Sequence, residues 1–144
     1  MFQSKAQTLV NAVNCVGVMG KGIALEFKNR FPEMYKDYLG RCERKQILLG
    51  EPYLFKSIIQ PQIINFPTKD HWKSLSRIED IERGLGYLLT HYKEWGVTSL
   101  AIPALGCGNG GLEWSIIEPL ICKYVERMNV AIELYAPLAN KLMI

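Results

Sequence analysis

No stretch of this chain approaches the roughly 18 consecutive apolar residues that a membrane-crossing helix needs, so no span is expected. No C-x-x-C pair occurs, and the four cysteines (Cys15, Cys42, Cys107, Cys122) are widely spaced. That spacing argues against a metal site or a disulfide framework and fits reduced thiols. The first residues, Met1 to Lys5, contain no signal-peptide apolar region, which makes the cytoplasm the expected location. Charge of one sign is scarce as well. A net charge of +3 permits an anionic ligand but is far from a general nucleic-acid-binding stripe. Internal repeats, low-complexity tracts and linkers are absent.

What is present fits one packed domain over 1–144: 49% hydrophobic and 22% charged residues. Thr8 to Val13 reads as a strand. Ile23, Leu25, Phe27 and Phe31 then recur at helical spacing. Pro32 ends that helix and opens a second one carrying Met34, Tyr35, Tyr38 and Leu39. Gly40 or the charged run from Arg41 to Lys45 closes it. Pro52 to Lys56 and Ile63 to Phe66 read as strands, and Pro67 to Leu75 as polar, irregular chain. Ser76 and Glu79 fit a capping box. Behind it Ile78, Ile81, Leu85, Leu88, Leu89 and Tyr92 form one face, with Gly84 and Gly86 marking close packing and Gly96 as the C-cap. Ser99 to Leu105 is a strand. A last long helix carries Ile116 to Met128, with Ser115 and Glu118 as a second capping box and Pro119 just past its first turn. Val130 to Tyr135 is the last strand. The order β-α-α-β-β-α-β-α-β implies an α/β fold, a mostly parallel sheet with helices on both faces.

Two Gly-rich loops follow strands directly. One is Asn14 to Gly22. The other is Pro103-Ala104-Leu105-Gly106-Cys107-Gly108-Asn109-Gly110-Gly111-Leu112, with four glycines in six residues. A Gly-rich loop between a strand and a helix suits an anion, because free N–H groups and the helix dipole both favour one. Ligands in such sheets sit outside the carboxyl ends of strands, so the two loops are placed to converge on one ligand. Asn14, at the loop mouth, suits ribose hydroxyls, whereas Asn11 reads as an ordinary turn residue. Lys21 pairs with a phosphate or is a solvated loop-tip lysine. Lys69 lies at the end of an apolar strand on the same rim. A following helix N-terminus would lower its pKa, and a lysine so tuned can attack an anomeric carbon and form a Schiff base. His71 is a general base or a surface histidine. Cys107 reads as a packing residue, Trp114 closes the loop, and Tyr135 offers an aromatic face to the ligand. The central loop holds no carboxylate, so paired-carboxylate chemistry is poorly supported.

The runs Val10-Asn11-Ala12-Val13-Asn14, Gly17 to Ala24, Phe66-Pro67-Thr68-Lys69-Asp70-His71-Trp72 and Ile102 to Leu112 resemble the macrodomain family over nearly the whole chain. Within it they are most similar to the DarG-type branch, antitoxin macrodomains that remove ADP-ribose from thymidine bases in DNA, related to the terminal ADP-ribose protein glycohydrolase. The resemblance implies a three-layer α/β/α sandwich with a central mixed sheet, lacking the family's usual first strand and adenine-binding Asp. It implies ADP-ribose as ligand, bound by Asn14, Gly20, Lys21, Gly22 and Ile23, by Pro103, Leu105 to Leu112 (Leu105, Gly106, Cys107, Gly108, Asn109, Gly110, Gly111, Leu112) and by Tyr135. Lys69 falls at the branch's catalytic lysine, and hydrolysis would use no metal or cofactor. Gly110 stands where the protein-acting glycohydrolase carries an aspartate. Implied partners are ADP-ribosylated DNA and a cognate ADP-ribosyltransferase toxin. A non-catalytic ADP-ribose-binding module and an ADP-ribose 1″-phosphate phosphatase are the alternatives.

Overall fold

The computed structural model describes residues 1–137. Its elements are β1 (Thr8–Asn14), α1 (Gly22–Arg30), α2 (Pro32–Glu43), β2 (Tyr53–Phe55), β3 (Gln62–Lys69), α3 (Ile78–His91), β4 (Ser99–Ile102), α4 (Trp114–Val125) and β5 (Ala131–Leu134). They follow the expected order, with one added 3-10 turn at Gly108–Gly110 in the central loop. The strands form one five-stranded sheet in the order β2-β3-β1-β4-β5. β3, β1, β4 and β5 run parallel, and only β2 is antiparallel. The four parallel strands therefore deliver their carboxyl ends to a single rim.

Period-2 alternation splits the sheet between two cores. Val10, Ile64 and Phe66 pack on one face with Ile81, Leu85 and Leu88 of α3 and Ile117 and Ile121 of α4. Leu9, Val13 and Ile63 pack on the other with Phe27 of α1 and Met34 and Tyr38 of α2. The result is a helix layer on each side of a mixed sheet.

Several local expectations are corrected. β3 runs through Pro67 to Lys69 instead of stopping at Phe66. Pro67 lies past the β2 pairing, which covers Ile63 to Asn65, so its missing N–H interrupts no antiparallel ladder there. The β1–β3 register slips once, between Val13 and Asn14, so that Asn14 stands opposite Lys69. Neither capping box forms: α3 is preceded by Arg77 and α4 by Glu113, both without a side-chain cap. The buried Ser76 instead donates its backbone N–H to the Gly110 carbonyl (2.8 Å), and its hydroxyl has no partner. Pro119 sits inside α4, whose first residue is Trp114. Asn11 is no turn residue. It is fully buried in mid-strand, where its Nδ2 donates to Asn65 Oδ1 (3.0 Å). Asn65 Nδ2 in turn donates to the Tyr53 hydroxyl (2.9 Å). These three residues are in direct cross-strand register, so a polar ladder runs across β1, β3 and β2 beneath the α1–α2 layer.

Candidate functional site

A cleft of about 1140 Å³ opens at the carboxyl ends of the parallel strands. One wall is the β1–α1 connection with Asn14, Val18, Gly20, Lys21 and the first turn of α1. The other is the β4–α4 connection with Pro103, Gly106, Cys107, Gly108, Asn109 and Gly110. Thr68, Lys69, Trp72 and Lys73 form the floor and rim between them, and Tyr135, Ala136 and Pro137 close the far end. The two walls nearly touch: a Cβ on Gly22 would lie 3.8 Å from Asn109 Nδ2.

The β1–α1 wall is shaped from within. Asn14 Nδ2 donates to the Val18 carbonyl (2.6 Å). Its Oδ1 accepts from the N–H groups of Val16 (3.0 Å) and Val18 (3.3 Å) and from the Tyr38 hydroxyl (2.9 Å). The Tyr38 hydroxyl also lies 2.8 Å from the Asn14 carbonyl and accepts from Gly17 N–H at 3.2 Å. Asn14 thus acts chiefly as the loop's internal staple, with one amide N–H left over for a ligand. A contact with ribose hydroxyls, for which its position at the loop mouth suits it, would have to use that one N–H.

The helix N-terminus that reaches the cleft is that of α1. Gly22, Ile23 and Ala24 line it, and the first intrahelical bond runs from Leu25 N–H to the Lys21 carbonyl. Three N–H groups are thereby left without helical partners, a suitable cradle for an anion. α4 begins only at Trp114, which is not part of the cleft wall. The helix dipole expected behind the central loop is therefore supplied by the other loop.

The central loop folds back on itself. Leu112 N–H donates to the Gly106 carbonyl (2.9 Å), and Cys107 bridges to Leu112. Gly106 has φ +76°, and a Cβ there would stand 2.7 Å from Leu112 Cδ1. At Gly110 a Cβ would stand 2.4 Å from Ser76 Oγ. Three residues of the expected ligand set do not line the cleft. Leu105 is fully buried in the core, Gly111 backs onto Leu75, and Leu112 packs beneath Gly106. They shape the loop from behind.

Lys69 stands between the walls. Its Nζ donates to the carbonyls of Trp72 (3.0 Å) and Asn109 (3.4 Å). Partial burial, then the positive charge of Lys21 across the cleft, lowers its pKa from the ordinary lysine value. The positive end of α3, suggested by the sequence as the cause, begins at Ile78, beyond the 70–75 turn. A neutral amine within reach of both walls can act as a nucleophile toward an electrophilic carbon held in the cleft. His71 lies outside the lining, and its Nδ1 accepts the Lys73 N–H (3.1 Å), so the general-base reading loses its geometry. Burial raises the Cys107 thiol, which agrees with a packing role. Among the described residues no group of three His, Cys, Asp or Glu is placed to hold a metal, and no helix is long and apolar enough to cross a membrane.

Trp72, Lys73, Thr68, Met1 and Phe2 also line the cleft but were not picked out as ligand contacts. For Trp72 a signal existed: a large aromatic in an otherwise polar segment directly after a rim strand. Phe2 offered none, since only the fold brings its ring edge-on against Phe27 (centroids 4.8 Å apart).

Residues 10–121 match the Macro domain family. The chain is 42% identical to a DNA ADP-ribosyl transferase–DNA ADP-ribosyl glycohydrolase fusion protein of Thermosipho africanus, covering 99% of this chain and 41% of that protein. It is also 42% identical to a DNA ADP-ribosyl glycohydrolase of Thermus aquaticus, covering 97% and 40%. The chain spans about two fifths of the length of these curated relatives. The structure of Thermosipho africanus DarTG in complex with ADP-ribose superposes with a TM-score of 0.94 at 44% identity, over 98% of this chain and 40% of that one. The macrodomain of Mycobacterium tuberculosis DarG superposes at 0.91 and 40% identity, over 94% and 91%.

Proposed function

The chain belongs to the macrodomain family, and from that premise we propose that its cleft binds ADP-ribose and hydrolyses the bond joining ADP-ribose to a thymidine base in DNA. The observation that carries this reading is Lys69, an amine of lowered pKa held between two glycine-rich walls. Relatives named for glycohydrolase activity on ADP-ribosylated DNA support the substrate class.

The diphosphate lies against the free N–H groups of α1's first turn and the glycines of the central loop. The distal ribose then faces Lys69. The neutral Nζ attacks C1″, and the bond from C1″ to the base nitrogen breaks. The base leaves with the electron pair and takes up a proton. Ring opening gives a Schiff base between Nζ and C1″. Water adds to it, the amine departs, and ADP-ribose closes again. No step in this sequence requires a metal or cofactor. The central loop holds no carboxylate, which favours lysine chemistry over aspartate assistance. The same proposal gives the chain a cytoplasmic location and a cognate ADP-ribosyltransferase toxin as functional partner, the latter supported by the relative in which transferase and glycohydrolase are fused.

The test offers ADP-ribosylated single-stranded DNA, ADP-ribosylated protein and ADP-ribose 1″-phosphate side by side. Release of ADP-ribose from the DNA alone is the expected result. Phosphate release from the third substrate, or binding without turnover of any, would replace this reading with the phosphatase or the binding module. Borohydride added during turnover of the DNA should trap a covalent ADP-ribosyl adduct on Lys69.

A further inference from the structure

Resting on that reading, we infer that His71, Trp72 and Lys73 form a stacking platform at the cleft mouth for the single-stranded DNA that carries the ADP-ribose. Trp72 is 42% exposed, although large aromatics ordinarily bury more of their surface. Its ring is stacked with the His71 imidazole at 5.5 Å between centroids, and Lys73 Nζ lies 4.9 Å from the centre of the Trp72 ring. His71 extends this surface outward from the cleft, while Trp72 and Lys73 line its edge.

The platform is held in place by backbone. Ser74 N–H donates to the His71 carbonyl (2.9 Å), and the Asp70 carbonyl accepts from Cys15 N–H (3.1 Å). Lys73 N–H donates to His71 Nδ1, and the Trp72 carbonyl accepts from Lys69 Nζ. The aromatic face is therefore coupled by position to the proposed nucleophile. The charge also suits a nucleic-acid strand. Lys21 and Lys73 stand around the mouth, against Glu26 inside the cleft and Asp70 beside the platform. Aromatic stacking next to lysines is how single-stranded DNA is held without reading its sequence. An ADP-ribosyl group in the cleft leaves its base, and the neighbouring nucleotides, at this mouth.

Two experiments test the assignment on the full chain. In the first, kcat/KM is compared for an ADP-ribosylated ten-nucleotide strand and for ADP-ribosyl-thymidine. The wild-type protein should prefer the strand. Trp72→Ala, which keeps the main-chain carbonyl that Lys69 uses, should shrink the preference about tenfold, and Trp72→Phe should restore most of it. In the second, binding of unmodified oligo(dT) is followed by quenching of tryptophan fluorescence. Trp72→Phe should remove most of the quenching while Trp95 and Trp114 remain. Lys73→Ala should flatten the dependence of log K on log[salt] by about 0.7, one phosphate contact on a single strand. Undiminished quenching in Trp72→Phe overturns the platform, and so does an unchanged strand preference in Trp72→Ala. The second experiment needs no turnover, so failure of the hydrolase reading and failure of the platform are separable.

Discussion

Lys69 has backbone carbonyls as both of its hydrogen-bond acceptors, and a second lysine lies across the cleft. Desolvation and the Lys21 charge both disfavour the ammonium, so the neutral amine is available at lower pH than in an ordinary lysine. In the proposed mechanism that amine is the attacking form, so kcat should climb with pH along a limb centred below the ordinary value of 10.5. Lys21→Ala removes one of the two causes and should move the limb to higher pH, read from the pH profile of kcat on ADP-ribosylated DNA. A limb that stays in place would detach Lys21 from the tuning. Gly110 gives a second residue-scale prediction. An aspartate there would drive its Cβ to 2.4 Å from Ser76 Oγ in a buried corner. Gly110→Asp should therefore lose ADP-ribose affinity, measured by calorimetry, instead of gaining release from ADP-ribosylated protein.

Helix placement decides which loops meet at the cleft. α3 lies so close to β3 that a Cβ at Gly84 would come within 2.3 Å of the Phe66 ring, which is fully buried. Gly84→Ala should destabilise the protein by about 1–3 kcal/mol through overpacking, read as a lower urea midpoint. Gly86, which the sequence grouped with it, faces Tyr124 at an ordinary 3.8 Å. Gly86→Ala should instead stabilise by about 0.5–1 kcal/mol from helix propensity. On the other face α2 reaches the cleft through Tyr38, whose hydroxyl joins Asn14 and Gly17. Tyr38→Phe leaves those groups short of a buried partner, at about 1–3 kcal/mol, and should weaken ADP-ribose binding as well, because the loop it frees carries the α1 N-terminus. Asn14 showed as a polar residue at a loop mouth, but its bonds to Val16, Val18 and Tyr38 depend on α2 folding back over the loop.

Across the whole molecule, periodicity and glycine placement carried most of the fold. The alternation of strands and helices, the shared rim and the convergence of two Gly-rich loops were legible because each follows from spacing along the chain. Leu105, Gly111 and Leu112 were misplaced because an apolar or glycine residue in a loop looks the same whether it faces a ligand or the core. The capping box at Ser76 failed as Ser76 is held to Gly110, a contact across the sheet rim that local sequence does not contain, and the one at Ser115 failed as α4 begins at Trp114 and takes Ser115 into its first turn. The cleft that results rests on one claim above others, that Lys69 does the chemistry while the walls do the binding. The direct measurement is Lys69→Ala against wild type, with ADP-ribose affinity from ligand-induced thermal stabilisation and release from ADP-ribosylated single-stranded DNA followed in parallel. The account predicts affinity within about threefold of wild type and release reduced by at least about 100-fold, the scale of losing a group that acts in the transition state. Release at the wild-type rate by a folded Lys69→Ala protein would contradict it.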